Sequence, residues 1–213
     1  MDKEEFINIL KVNGINITDE QLEKLEKFYI LLTEWNKKIN LTRITEKKEV
    51  YLKHFYDSLT ISKVIDLNKV NSLCDIGTGA GFPGIVLKIC YPNLDITLVD
   101  SLQKRINYLK DIIEKLELKK IKAIHTRAED YKGSFDVVTA RAVANIEKLL
   151  KYSMHLLNKN GRLIAMKGNI DAELTPEVLQ SINKKYEIIN IEKFRLPVED
   201  SERSLIVIKN KKL

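Results

Sequence analysis

One glycine-rich stretch, Ser72–Gly84, limits the folds open to this chain more than any other feature of its sequence. A short apolar run predicts a β-strand that ends near Ile76, four glycines follow, and a helix is predicted to begin at Pro83. Glycine permits tight turns and close approach of a ligand to the backbone, and free N–H groups at a helix start favour polar or anionic groups. The stretch therefore predicts a nucleotide-type site at the carboxyl end of a parallel strand.

Two cofactor fingerprints fit this loop, and the predicted end of the strand separates them. Gly79–Gly84 matches G-x-G-x-x-G of dinucleotide sites, whereas Asp75–Gly81 matches the (D/E)-x-G-x-G-x-G loop of S-adenosylmethionine-dependent methyltransferases. Because the strand ends near Ile76, Gly77 is the first glycine of the turn, and the third dinucleotide glycine would fall at Phe82. The loop favours S-adenosylmethionine over NAD, and a glycine turn that binds no ligand remains the alternative.

A second predicted strand supplies the acidic group that such a loop needs. The apolar, β-branched run Asp95–Val99 predicts a buried strand, and Asp100 follows it directly. A carboxylate at this place accepts hydrogen bonds from both ribose hydroxyls of a nucleoside. The alternative is that Asp100 only caps the following helix.

The chain divides near Asn68 into a helical part and an alternating part. Residues 1–67 predict an N-terminal helical cap, with a long helix that starts at the capping box Thr18–Gln21 and further helices over Lys47–Tyr56 and Asp57–Ile65. Residues 68–213 alternate strands and helices, which predicts an α/β domain with a doubly wound, mostly parallel sheet.

The end of the chain narrows this fold class further. The last two predicted strands, Tyr186–Lys193 and Arg203–Lys209, are joined by about nine residues, which is too short for a parallel crossover. They must pair antiparallel. A seven-stranded, mostly parallel sheet with an antiparallel last strand is the Rossmann-like fold of class I S-adenosylmethionine-dependent methyltransferases, and a dehydrogenase sheet would not predict this ending.

The composition of the chain limits the kinds of binding partner that we expect. The net charge of +6 permits a polyanionic partner, and the lysines at Lys37–Lys38 and within Lys47–His54 are the predicted RNA-binding part of the cap. Two cysteines and three scattered histidines predict no metal site. The amino terminus is charged, and no apolar run reaches the roughly 18 residues of a membrane span. We therefore expect a soluble, cytoplasmic monomer that binds neither a metal nor a membrane.

Eight segments, spread over nearly the whole chain, carry a family resemblance. They are Trp35–Thr42, His54–Leu59, Asp75–Gly84, Asp100–Arg105, Arg127–Glu129, Thr139–Ala142, Lys167–Gly168 and Glu202–Leu205. With them the chain resembles the glucose-inhibited division protein B (RsmG) family, the bacterial small-subunit ribosomal RNA guanine-N7 methyltransferases. The first two segments and the one at Asp100 are more discriminating than the glycine loop.

The resemblance implies a cofactor, a substrate and site residues. It implies 16S ribosomal RNA or the small ribosomal subunit as partner, with the 530 loop as the methylated region. Arg141 would reach toward the cofactor and the target base as the catalytic residue. The residues implied to bind S-adenosylmethionine are Gly77, Gly79, Phe82, Asp100, Ala128, Glu129 and Arg141.

Each implied role has a structural alternative. Phe82 could pack under the loop, and Glu129 and Arg141 could form an ordinary surface ion pair. In the cap, the polar residues of the resembling segments could simply pin the cap onto the sheet; they are Asn40, His54, Asp57 and Ser58.

The residue chemistry is compatible with guanine N7 as the target. Methylation of cytosine C5 needs a cysteine nucleophile, but Cys74 and Cys90 lie on the first strand and first helix of the sheet domain. The Asn/Asp-Pro-Pro-Tyr/Phe segment typical of exocyclic amine methylation is replaced by Thr139–Ala142. Guanine N7 carries no proton, so it needs no general base. A methyltransferase for a small molecule or protein, and a non-catalytic nucleotide- or RNA-binding module, remain the alternatives.

Overall fold

The amino-terminal part of the protein is helical, as predicted. The computed structural model describes residues 1–211, and in it α1 covers Lys3–Val12 and α2 covers Asp19–Ile39. The predicted capping box starts α2: Thr18 Oγ1 accepts a hydrogen bond from the Gln21 N–H, and Gln21 Oε1 accepts one from the Thr18 N–H.

The second half of the cap departs from the two regular helices that the sequence predicted. A short helix, α3 (Lys47–Val50), continues into a π-helical turn over Tyr51–Tyr56, then α4 (Asp57–Leu59) and a 3₁₀ turn over Thr60–Lys63. Five of the six residues in the π-helical turn are buried, so no polar stripe marks its outer face. The apolar spacing of 3.6 residues that predicts an α-helix does not reveal the wider winding of a π-helical turn. Such turns are frequent at functional sites.

The predicted sheet is confirmed. Its strands are β1 Ser72–Ile76, β2 Asp95–Asp100, β3 Ile121–His125, β4 Phe135–Arg141, β5 Leu157–Lys167, β6 Tyr186–Arg195 and β7 Glu202–Asn210. They lie in the order β3-β2-β1-β4-β5-β7-β6, and β7 alone runs in the direction opposite to the other six strands. This is the predicted mostly parallel sheet with a reversed last strand.

The other helices pack on the two faces of the sheet. They are α5 Gly84–Cys90, α6 Gln103–Lys115, α7 Ile146–Ser153 and α8 Pro176–Asn183. The predicted start of α5 at Pro83 was wrong by one residue, since the helix begins at Gly84. The helix α7 ends at Ser153, and a 3₁₀ turn over Met154–Leu156 leads directly into β5.

Two buried apolar clusters show which face of the sheet the cap covers. Phe28 and Phe55 of the cap belong to one buried cluster with Ile85 of α5 and Leu109 of α6, so the cap covers the face of the sheet that carries these helices. The helices α7 and α8 bury their apolar residues in a second cluster on the other face. The division into residues 1–67 and 68–213 stays a prediction.

Candidate functional site

The glycine loop turns directly after β1, in the register that the sequence predicted. Gly77 and Gly79 have φ angles of 62° and 59°, in the left-handed region that favours glycine. A Cβ on Gly79 would meet no atom closer than the Gly77 carbonyl oxygen at 3.9 Å, so one side of the loop backbone is open. Gly77 is thus the first glycine of the turn, as the S-adenosylmethionine interpretation requires.

Asp75, at the end of β1, ties the two ends of the loop together. Its Oδ2 accepts hydrogen bonds from the Thr78 hydroxyl at 2.6 Å and from the Gly84 N–H at 2.9 Å. Its Oδ1 is buried and has no hydrogen-bond partner among residues 1–211. Burial raises the pKa of Asp75 to about 7, although the hydrogen bonds from Thr78 and Gly84 oppose that shift.

This raised pKa gives a pH dependence that can be measured. The folded state holds the Asp75 proton more tightly than the unfolded state, so the stabilising contribution is full below about pH 4 and is lost as the pH rises through about 7. Asp75→Asn removes the titration. The free energy of unfolding of the variant, minus that of the wild type, should therefore rise between about pH 4 and 8 in urea unfolding. Parallel curves for the two proteins would contradict the raised pKa.

Asp100, at the end of β2, contacts both the glycine loop and the following helix. Its Oδ2 accepts the Gly79 N–H at 3.0 Å and an Arg105 guanidinium N–H at 3.2 Å, and its Oδ1 accepts the Leu102 N–H at 2.9 Å. The alternative that Asp100 only caps the following helix is wrong, because Leu102 is the N-cap residue of α6 and Asp100 also binds the glycine loop. A carboxylate offers about four acceptor positions, so one stays open for a ligand.

Four of the seven predicted cofactor-binding residues line one pocket of about 200 Å³. Gly77 and Asp100 form one side of it, and Ala128 and Glu129 form another. The predicted alternative of a Glu129–Arg141 ion pair was wrong, because the basic group nearest Glu129 is Arg127, at 3.8 Å, and Arg141 pairs elsewhere.

Arg141 and Phe82 lie together on the side of the cap. The Arg141 guanidinium donates to the Lys53 carbonyl oxygen at 2.9 Å and to Asp57 Oδ2 at 3.0 Å, and its carbon lies 5.1 Å from the centre of the Phe82 ring. Phe82 is buried among aromatic residues of the cap, including Phe28. The packing alternative for Phe82 is therefore supported, and Arg141 joins the end of β4 to the cap.

His54 completes the contacts of Arg141. His54 Nδ1 lies 3.2 Å from an Arg141 guanidinium nitrogen and 3.1 Å from the Lys53 carbonyl oxygen, and His54 Nε2 lies 3.0 Å from Thr42 Oγ1. Burial, followed by the Arg141 charge, lowers the pKa of His54 to about 3, so the ring is neutral at physiological pH.

Among the remaining polar residues of the cap, Asp57 ties the cap to the sheet, whereas the contacts of Ser58 and Asn40 lie within the cap. Asp57 Oδ1 accepts a hydrogen bond from Arg203 Nε at 3.0 Å, which ties the cap to β7 as well. Ser58 donates to the His54 carbonyl oxygen, and Asn40 ends α2 in a left-handed conformation. The sequence reasoning assigned no role to Arg203 or Thr42, although both lie in segments of the family resemblance.

A second pocket, of about 350 Å³, opens between the cap and the carboxyl ends of β4 and β5. Its polar lining is mostly cationic and includes Lys53, Arg141, Lys167 and Arg203.

No group of three or more metal-ligating side chains occurs within residues 1–211. In the same part of the chain, no helix has the length and apolar character needed to cross a membrane.

The fold and this edge of the sheet define the class of protein. The solved structure of StiE O-MT residues 961–1257 is similar, with a TM-score of 0.62 and 14% sequence identity over 80% of this chain and 79% of that one. The glycine loop, the acid that ends β2 and the reversed β7 are the features of a class I S-adenosylmethionine-dependent methyltransferase.

Sequence comparison identifies the family. The profile described as rRNA small subunit methyltransferase G matches residues 21–205. The ribosomal RNA small subunit methyltransferase G of Bacillus subtilis (strain 168) is 46% identical over 216 residues, which cover 98% of this chain and 90% of that protein. The protein of the same name from Bacillus velezensis is 46% identical over all of this chain and 92% of its own. The chain belongs to this methyltransferase family, and the resemblance inferred from its sequence is confirmed.

The class and family imply use of S-adenosylmethionine, and the residues present fit it. Gly79 leaves the loop backbone open, Asp100 keeps an acceptor position free at the pocket, and the unpartnered Oδ1 of Asp75 is a buried acceptor behind the loop. The individual binding roles of the seven predicted residues stay predictions.

Proposed function

We propose that this protein transfers the methyl group of S-adenosylmethionine to N7 of a guanine in the 530 loop of 16S ribosomal RNA. Gly77, Gly79 and Asp100 would hold the methionine and ribose end of the cofactor, and Ala128 and Glu129 the adenine end. The cofactor supplies the methyl group on its sulfonium. The protein holds the nucleophile and the methyl group in line and excludes water.

One observation favours N7 as the target atom. Among the ten described residues that line the pocket at Arg141, only His54 and Asp57 have a side-chain nitrogen or oxygen that can accept a hydrogen bond. Both already contact arginine: His54 Nδ1 lies 3.2 Å from the Arg141 guanidinium, and Asp57 accepts hydrogen bonds from both Arg141 and Arg203. Guanine N7 suits such a pocket, because it reacts through a lone pair and loses no proton.

The contacts of Arg141 favour a role in alignment. Methylation of N7 leaves a positive charge on the base, and an uncompensated guanidinium against the ring would repel it. The Asp57 carboxylate compensates the Arg141 charge at 3.0 Å. We therefore propose that Arg141 orients the cofactor, or a phosphate of the RNA, from its place between the cap and β4.

The product test is direct. Ribosomal RNA from a strain that lacks this protein should gain 7-methylguanine when the enzyme and S-adenosylmethionine are added, seen as chain cleavage after reduction and aniline treatment. The rate at saturating substrates should show no ionisation of an essential base between about pH 6 and 9. Label in 5-methylcytosine or N6-methyladenine, with none at guanine N7, would overturn the proposal.

A further inference from the structure

Four lysines from two helices meet in a groove on the face of the sheet opposite the cap. The groove has a volume of about 440 Å³ and lies between α7 and α8. Lys148 and Lys151 line it from α7, and Lys184 and Lys185 line it from the end of α8. Leu150 and Ile182 are buried at its base. The two pairs of lysines are far apart in sequence, so only the fold brings them together.

The charge of this groove is not compensated by acidic side chains. Glu147 is the one acid among the described residues that line it. None of the four lysines takes part in an ion pair among residues 1–211. The groove therefore presents a concentrated positive charge to solvent.

The cap, which the sequence predicted as the RNA-binding part, has, among residues 1–211, both paired and unpaired lysines. Lys47 pairs with Glu26 at 2.6 Å, and Lys53 pairs with Glu49 at 2.7 Å and with Glu199 at 2.8 Å. An RNA phosphate would have to displace these carboxylates before it gained the lysine charge. The groove lysines need no such exchange, and four of them converge on one concave surface.

The arrangement of the lysines has an energetic cost that a bound anion would offset. Lys148 and Lys151 are three residues apart on one helix face, where like charges destabilise the helix. The helix dipole favours cations at a helix carboxyl end, which accounts for Lys151 in the last turn of α7 and for Lys184, the C-cap residue of α8. It does not account for four lysines converging on one concave surface. Phosphate oxygens would relieve the repulsion.

One end of the groove is close to the site. The helix α7 starts three residues after Val143, which lines the pocket with Gly77 and Asp100, and its eight residues span about 12 Å. The other end, at Lys184 and Lys185, lies toward the amino ends of the parallel strands, since Tyr186 pairs with Asn210 at the far end of β7. We propose that the groove between α7 and α8 binds the phosphate backbone of the RNA substrate while the target guanine lies at the carboxyl ends of the strands. The inference rests on the proposed function, since the RNA is its substrate.

Charge reversal tests the groove. The double variants Lys148→Glu/Lys151→Glu and Lys184→Glu/Lys185→Glu should each bind a 16S ribosomal RNA transcript at least tenfold more weakly. The slope of log affinity against log salt concentration should fall in magnitude by about 1.4. Each phosphate of single-stranded RNA that a lysine neutralises contributes about 0.7 to this slope, and each double variant removes two lysines. The KM for RNA should rise, whereas kcat at saturating RNA and the thermal shift caused by S-adenosylmethionine should stay unchanged.

Lys119→Glu/Lys120→Glu is the matched control. This exposed pair directly precedes β3, at the other end of the strand order from β6, and has the same change of charge. The groove proposal is overturned if the groove variants and this control have the same affinity and salt slope. It is also overturned if the groove variants lose binding to the assembled small subunit but not to the transcript, because the partner would then be a protein. Wild-type enzyme that binds the transcript in the groove yet makes no 7-methylguanine would contradict the proposed function alone.

Discussion

Replacement of Arg141 by alanine is expected to lower the free energy of unfolding by about 3 kcal/mol, because it leaves the buried Asp57 carboxylate without one of its two cations. The side chains of Arg141 and Asp57 are 17% and 5% exposed, so solvent screens the pair weakly. Arg203 stays within 3.0 Å of Asp57, which places the expected loss at the lower end of the range for a broken buried pair. Urea unfolding measures the loss.

The same change should reduce methylation through alignment. Arg141 joins the end of β4 to the Lys53 carbonyl oxygen, His54 and Asp57, so its loss frees the cap from the carboxyl edge of the sheet. We expect kcat/KM for RNA to fall by about 100-fold, the size of effect that a misplacement of about 1 Å has on a reaction governed by positioning. Steady-state rates with a 16S ribosomal RNA transcript measure this.

Two further variants make the Arg141 prediction specific. Arg162→Ala removes an exposed arginine from β5 and should change stability by less than about 0.5 kcal/mol. Arg141→Lys keeps the charge but not the planar fork, so it should recover part of the stability and little of the rate. If Arg141→Ala unfolded like the wild type and lost only methylation, Arg141 would act on the cofactor or base directly, and the joining role would be wrong.

The parts of the structure that could be predicted from the sequence are those encoded locally. The β1–loop–α5 unit follows from one apolar run and the glycines, and the antiparallel pairing of β7 follows from the short connection before it. The place of Asp100 beside the loop follows from a general rule, since parallel strands end at one edge of the sheet. These features depend on few residues that are close in sequence.

The partners of Arg141 and the lysine groove could not be predicted in this way. Arg141 and Asp57 are 84 positions apart, and nothing local to either residue marks the other as its partner. The π-helical turn that carries His54 also has no 3.6-residue pattern to reveal it. Lys148 and Lys185 become neighbours only because α7 and α8 pack side by side on the sheet. The family resemblance pointed to some of these residues but not to their contacts.

Replacement of Asp100 by alanine is expected to weaken S-adenosylmethionine binding by on the order of 100-fold. Hydrogen bonds to charged groups contribute about 1.5–3 kcal/mol each, so loss of the ribose acceptor together with the bond to the Gly79 N–H accounts for roughly 3 kcal/mol. Calorimetric titration measures the affinity. Asp95→Ala, at the exposed start of the same strand, is the matched control and should bind normally. NAD should bind neither the wild type nor the control.

The two contributions of Asp100 can be separated by changing the ligand. If Asp100 only orders the loop through Gly79 and Leu102, its loss weakens every ligand by the same factor. If it also accepts the ribose 2′-hydroxyl, the wild type should prefer S-adenosylhomocysteine over its 2′-deoxy analogue, and Asp100→Ala should lose that preference. The ratio of the four affinities isolates the contact between the carboxylate and the hydroxyl, because the effect on the loop cancels. A preference that survives in Asp100→Ala would mean that another group holds the ribose and that Asp100 acts through the loop alone.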